Sequence, residues 1–189
     1  MITIVGIGGS LRKASWNRAL VRAFAALAPE NVTVEEATIE GIPLYDGDLE
    51  AASGIPPAVT ALQDRIAAAD GLLLASPEYN AGMPGVFENA LDWLTRPPGA
   101  AGRVFSGKPT ALTGATPGTA GTISAQAEWL PVLRAMGVNL WMGPRLYVSG
   151  VNKLFDDEGQ LIDEVMRKRA SDFIAGFAGY IRLLKSAQH

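Results

Sequence analysis

Apolar and polar positions change period block by block along the chain. Ile2–Gly8 (ITIVGIG) is a continuous apolar run, the pattern of a strand covered on both faces. Trp16, Leu20, Ala23, Phe24 and Leu27 then recur at helical spacing, predicting a helix over Trp16–Ala28. Val32–Thr38 (VTVEEAT) partly alternates and predicts a second strand, Ala58–Ala69 a helix, and Gly71–Ser76 (GLLLAS) a central third strand. Val86–Arg96 predicts a helix, Pro109–Thr113 a fourth strand, and Thr122–Met136 a helix with Pro131 as a kink near its middle. Asn139–Met142 and Arg145–Val148 predict a fifth strand interrupted at Gly143–Pro144, and Asp163–Leu184 a closing helix. Residues 40–57 and Pro97–Gly107 are rich in Gly and Pro and read as connections. A loop as long as the first is uncommon in a compact domain and often functional.

Strands alternating with helices, joined by right-handed crossovers, predict an α/β fold. The expected form is a flavodoxin-like, doubly wound, five-stranded parallel sheet of order 2-1-3-4-5, with helices on both faces. Its 189 residues suit one domain, 1–189. Ligands bind such sheets beyond the carboxyl ends of the strands, where strand order reverses. That point lies between strands one and three. The loops after strands one, three and four therefore meet there.

The first loop, Gly9–Asn17 (GSLRKASWN), opens directly into a helix, so its N–H groups and the helix dipole favour an anion. Ser10, Ser15 and Asn17 offer side-chain donors, and Arg12 and Lys13 offer charge. A P-loop is excluded, because no Gly-Lys-Ser/Thr opens this helix. The dinucleotide fingerprint fails because Leu11 stands where a third glycine belongs. An ordinary βα turn with Ser15 as N-cap also satisfies the pattern. The second loop, Pro77–Gly85 (PEYNAGMPG), offers Tyr79 and Met83 to a flat ring and main-chain N–H groups around Asn80–Gly82 to its heteroatoms; a surface turn is the alternative. The third, Gly114–Gly121 (GATPGTAG), permits close approach to its main chain, or is a flexible connection. Together the three outline a slot with an anion site at one end and room for a planar ring at the other, the shape of a flavin mononucleotide.

Composition narrows the chemistry. The chain has no cysteine, and its one histidine is the terminal His189, where chains usually fray. Thiol and histidine catalysis, disulfides and Cys or His metal sites are thereby unexpected, and an organic cofactor is the natural carrier of any chemistry. A formal net charge of −3 gives no field for nucleic acid. No apolar run approaches the ~18 residues of a membrane span, and no basic leader precedes the first strand. Cytoplasmic location is the expectation. In the Val86–Arg96 helix, Val86, Ala90, Trp93 and Leu94 line one face and Phe87 and Leu91 another. A helix apolar nearly all round is either deeply buried or, with Ile123, Trp129, Leu130 and Leu133 of the next helix, part of a dimer interface.

GSLRKASWN, PEYNAGMPGVFENALDWLTRP and GKPTALTGATPGTAG, in that order over nearly the whole chain, resemble the NAD(P)H-dependent FMN reductases of the flavodoxin-like superfamily. The resemblance implies non-covalent FMN, with NADPH or NADH as co-substrate. It implies that Ser10, Arg12, Ser15, Trp16 and Asn17 hold the phosphate. Pro77, Glu78, Tyr79 and Asn80 would lie along the isoalloxazine, and the Gly114–Gly118 segment (Gly114, Ala115, Thr116, Gly118) would close its other side. Ala115, Thr116 and Pro117 depart from the serine- or glycine-rich loop of many relatives. The resemblance further implies ping-pong hydride transfer to a quinone-like or other small acceptor, no catalytic side chain, no metal, and a homodimer or homotetramer. A flavodoxin-like single-electron carrier and a non-enzymatic small-molecule-binding module are the rival readings.

Overall fold

The computed structural model describes residues 1–187; His189 lies outside the described residues. A parallel sheet is built from β1 (Ile2–Gly8), β2 (Val32–Ala37), β3 (Gly71–Ala75), β4 (Pro109–Ala115), β5 (Asn139–Leu140) and β6 (Tyr147–Val148). Its order is β2-β1-β3-β4-β5, the order expected. The fifth position is filled by two short strands in place of one. Asn139 and Leu140 pair with the start of β4, and Tyr147 and Val148 with its end. The chain leaves the sheet between them at Gly143–Pro144, because proline offers no N–H to a ladder.

Successive side chains of each strand point to opposite faces, and both faces are buried. Ile2 and Ile4, with Leu73 and Ala75, pack against α1 (Trp16–Leu27) and the later α7 (Glu164–Ser186). Val5 and Ile7, with Leu72 and Leu74, pack against α3 (Pro57–Ala68), α4 (Gly85–Leu94) and α6 (Ile123–Ala135). Two further helices occupy stretches expected to be bare connections. The first, α2 (Gly47–Ser53), starts where Asp46 accepts from the Asp48 N–H and stops at Gly54 with φ +74°. The second, α5 (Ala100–Val104), is a short helix that buries Val104 against the same core as α4. Both were masked by the glycines and prolines around them. The helix α6 continues through Pro131 to Ala135.

The all-round apolar character of α4 is accounted for within the chain. Phe87, Ala90, Leu91, Trp93 and Leu94 are each essentially inaccessible. Trp93 donates its indole N–H to the Pro43 carbonyl at 2.9 Å and meets Tyr45 edge-on, so the segment before α2 covers it. Phe87 meets Trp129 of α6 edge-on at 5.1 Å. Trp129 and Leu133 are buried too, leaving Ile123 and Leu130 as the exposed apolar residues of the expected interface set. No helix among the described residues is long and apolar enough to cross a membrane.

An ion pair ties the amino end of the sheet to the last helix. Asp70 accepts from the Thr3 N–H at 2.8 Å and from Lys185 Nζ at 2.6 Å. Partial burial pushes Asp70 upward, but these hydrogen bonds outweigh it and hold the carboxyl below the usual aspartate range. A depressed native value stabilises the fold above the unfolded value and loses that contribution as pH falls through the native one. Denaturation of wild type and Asp70→Asn between pH 7 and pH 3 should therefore show a stability gap that is full at pH 7 and closes on acidification below about pH 4. A gap independent of pH would show that the carboxylate charge contributes nothing there.

Candidate functional site

The end of β1 makes the first wall of a cleft at the carboxyl edge of the sheet. Gly9 crosses so close to the Phe87 ring that any Cβ there would overlap it. The chain then turns through Ser10, and Ser15 caps α1 by accepting from the Arg18 N–H. Ser10, Ser15 and Asn17 are buried, whereas Arg12 and Lys13 are exposed. Arg12 forms no ion pair with a described residue, unlike Arg18, which is held by Glu36 and Glu40. Donors, an unpaired guanidinium and the opening turn of a helix thus converge on one spot, the chemistry of an anion site.

The segment after β3 supplies the second wall. Ser76 accepts from the Trp129 indole N–H at 2.8 Å and donates to the Pro77 carbonyl at 2.9 Å. Tyr79 and Gly82 exchange both main-chain hydrogen bonds, each at 3.0 Å, around Asn80 (φ +53°) and Ala81 (φ +60°). The Gly82 N–H, expected to be open to a ring, is therefore closed into this turn. The Tyr79 hydroxyl lies 3.2 Å from Ser10 Oγ, bridging the first and second loops. Glu78, expected along the isoalloxazine, lines the cleft but turns its carboxylate to the start of α6, where it accepts from the Ser124 and Ala125 N–H groups at 2.8 and 3.0 Å.

The third wall is not a flexible connection. Gly114 and Ala115 are strand residues, and a Cβ on Gly114 would collide with the Ser76 carbonyl and Thr122 Oγ1. Thr116 donates its N–H to Val148 O at 2.9 Å, and the Gly118 carbonyl accepts from the Gly150 N–H at 3.1 Å. Asn17 reaches across to this wall. Its amide Nδ2 donates to Ala115 O at 2.9 Å, and its Oδ1 accepts from the Ala115 N–H at 2.8 Å. The Asn17 side chain expected as an anion donor is thus engaged in fastening α1 to β4.

The resulting cleft is lined by Ser10, Arg12, Ser15, Trp16, Asn17, Pro77, Glu78, Tyr79, Ala115, Thr116 and Pro117. Of the residues expected from sequence, Lys13, Asn80, Met83, Gly114 and Gly118 lie outside the lining. Asn80 forms the exposed tip of its turn, Gly114 packs inside the sheet, and Gly118 is turned toward Gly150. Pro117 joins the lining although it was set aside as a departure. A larger apolar groove runs beside α6 and β5, where Arg145 is its one charged lining residue. Among the described residues, no cluster of acidic, histidine or cysteine side chains is arranged to hold a metal ion.

Residues 2–153 match the family described as NADPH-dependent FMN reductase. The chain belongs to that family. It is 40% identical to an NAD(P)H-dependent FMN reductase of Pseudomonas aeruginosa over 97% of both chains. It is 38% identical to a 2-hydroxy-1,4-benzoquinone reductase of a Burkholderia species, over 96% of this chain and 97% of that one. The solved structure of FerB, a flavoenzyme NAD(P)H:(acceptor) oxidoreductase from Paracoccus denitrificans, superposes with a TM-score of 0.85 at 34% identity, covering 96% of this chain and 98% of that one. The expected family, its flavodoxin-like sheet and its FMN and NAD(P)H dependence are borne out.

The Asn17 bridge carries a prediction. Asn17→Ala leaves both main-chain groups of Ala115 without this partner in a buried setting, and should cost about 2–4 kcal/mol in chemical denaturation. Asn17→Asp keeps the acceptor but loses the donor and buries a charge, so it should rescue little. Stability equal to wild type in both variants would remove the bridge from the account.

Proposed function

We propose that this chain is an FMN-dependent oxidoreductase of quinone-reductase type that passes electrons from NAD(P)H to a quinone-like or other small acceptor by a ping-pong scheme. The observation that carries the reading is the meeting of the three carboxyl-edge loops, with buried Ser10 and Ser15, unpaired Arg12 and the first turn of α1 at one end. The donor set fits a phosphate monoester. Ser10, Ser15, Arg12 and the N–H groups of Trp16 and Asn17 would hold it. Pro77 and Tyr79 would border the ring on one side, and Ala115, Thr116 and Pro117 on the other. Bound FMN supplies the two-electron redox chemistry that no side chain here offers.

The protein's part is orientation. The second wall is braced by Ser76 on Trp129, and the third by the Asn17 bridge, so neither need reorganise when a substrate arrives. The Tyr79 hydroxyl on Ser10 links the ring end to the phosphate end. The quinone and benzoquinone reductases among the relatives support the acceptor class. We further propose self-association through the exposed Ile123, Leu130 and Met142, adjacent on the apolar groove. Sedimentation of the protein at micromolar concentration as a monomer would exclude it.

Arg12→Ala combined with Ser15→Ala should weaken FMN binding tenfold or more, because charge-assisted hydrogen bonds contribute about 1.5–3 kcal/mol each. Riboflavin, which lacks the phosphate, should bind the variant and the wild type alike. Equal loss for both ligands, or for neither, rejects the phosphate assignment. Anaerobic NADPH should bleach the visible bands of the flavin-loaded protein fully, and initial rates against a benzoquinone should give parallel double-reciprocal lines. Intersecting lines would reject the ping-pong scheme. A flavin that NADPH leaves oxidised would favour a carrier.

A further inference from the structure

Two carboxylates join the turn after β3 to α6, one from each side. Glu78 extends from the turn segment to the start of the helix, where its Oε2 accepts from the Ser124 and Ala125 N–H groups. Thr122, the N-cap of α6, makes no side-chain cap, so Glu78 supplies the cap from 46 residues upstream. Glu128, one turn further along α6, reaches back. Its Oε2 accepts from the Met83 N–H at 2.7 Å. Gly82 sits so close that a Cβ there would lie 2.9 Å from Glu128 Oε2.

Between these two attachments lies the turn Tyr79–Gly82, whose central pair Asn80 and Ala81 are both in the left-handed region. Asparagine tolerates that conformation, but alanine does not favour it. Backbone held in such a region persists only where its surroundings over-determine it. Here the Tyr79–Gly82 main-chain pair closes the turn, and the two carboxylates anchor it from either side. Their hydrogen bonds go to charged acceptors, the stronger class. The geometry also fixes what the turn presents: Tyr79 toward Ser10, and the N–H groups of Asn80 and Ala81 outside the Tyr79–Gly82 pairing.

We propose that Glu78 and Glu128 are positioning residues, a reciprocal clasp that holds the left-handed Asn80–Ala81 turn at the ring end of the flavin cleft. The role rests on the FMN reading of the cleft for its consequence, but not for its mechanics. Neither residue acts on the reacting atoms. Glu78 lines the cleft with its carboxylate turned to α6, and Glu128 approaches the turn from behind.

The test uses the full chain as wild type, Glu78→Gln, Glu128→Gln, Ala81→Gly and the double variant Glu128→Gln/Ala81→Gly. Amide hydrogen exchange is read at residues 79–83 without flavin, with β1 as internal control, and FMN affinity is read by fluorescence titration. Each Gln variant should speed exchange at 79–83 about tenfold, leave β1 unchanged, and weaken FMN by a similar factor. Ala81→Gly removes the left-handed penalty. In the double variant it should recover a large part of both losses, which repair of a merely structural defect in α6 would not do. Visible circular dichroism of the bound flavin should change in the Gln variants and return in the double variant. Unchanged exchange at 79–83 in both Gln variants overturns the clasp, as does loss that Ala81→Gly leaves untouched. If wild type takes up no FMN, the reading of the cleft fails while the exchange data still decide the clasp. Should Glu78→Gln lose α6 altogether, Glu128→Gln, which leaves the helix cap intact, decides alone.

Discussion

Everything at the carboxyl edge depends on keeping three loops in register although they come from strands far apart in the chain. The side-chain amide of Asn17 is the constraint that does this. A primary amide carries a donor and an acceptor in the same plane as a peptide group. Asn17 uses both on Ala115, 98 residues away, where β4 runs past the end of β3 and would otherwise have no neighbour on that side. On its other edge Ala115 is in register with Val148 of β6. The side chain therefore acts as a one-residue strand. It converts the first turn of α1 into part of the sheet and fixes the anion end of the cleft relative to its third wall.

Close backbone approach sets the second constraint. Gly9 passes under the Phe87 ring, Phe87 leans on Trp129, and the Trp129 indole N–H donates to Ser76 at the root of the second loop. Gly114 lies against the Ser76 carbonyl from the other side. A glycine expected to leave space for a ligand in fact leaves space for the neighbouring strand. The lining of the cleft is thus continuous with the Phe87–Trp129 contact in the core, and a change of one methyl group at Gly9 or Gly114 would be transmitted to loops on either side of it.

How much of this could be read from sequence follows from how local each determinant is. Strand one, its Ser-rich loop and the N-cap at Ser15 were legible because donor, cap and helix lie within one short stretch. The strand order was legible because continuous apolar runs alternate with helical periodicity. The split of the fifth strand was half visible in Gly143–Pro144, but not the return of Tyr147 and Val148 to the same side of β4. The helices α2 and α5 were hidden because local Gly and Pro content outweighed the Asp46 cap and the burial of Val104. The roles of Asn17 and Glu78 were not legible at all, since each is defined by main-chain partners across 98 and 46 residues. The apolar girth of α4 left two readings open. Deep burial accounts for Trp93, because the Pro43 carbonyl and Tyr45 cover its indole.

A chain of net charge −3 can still offer a favourable potential for an anion locally, and the placement of its arginines bears on where. On α1, Arg18 is raised above its ordinary range chiefly by its hydrogen bond to Glu36, and Arg22 shares that carboxylate. Arg65 pairs with Glu35 and Arg96 with Glu50. These pairs neutralise charge on the flanks of the sheet. Arg12, a few residues before Arg18, has no such partner among the described residues and stands beside buried Ser10 and Ser15 at the positive end of α1. Arg134, Arg145, Arg169 and Arg182 are likewise without an ion pair among the described residues, so what sets Arg12 apart is its place on the cleft lining beside the first turn of α1, where a local positive field needs no net positive charge on the chain. Such a field is short-ranged in physiological salt, where screening acts over about 8 Å. A field of that reach acts on a group already inside the cleft and adds little beyond it.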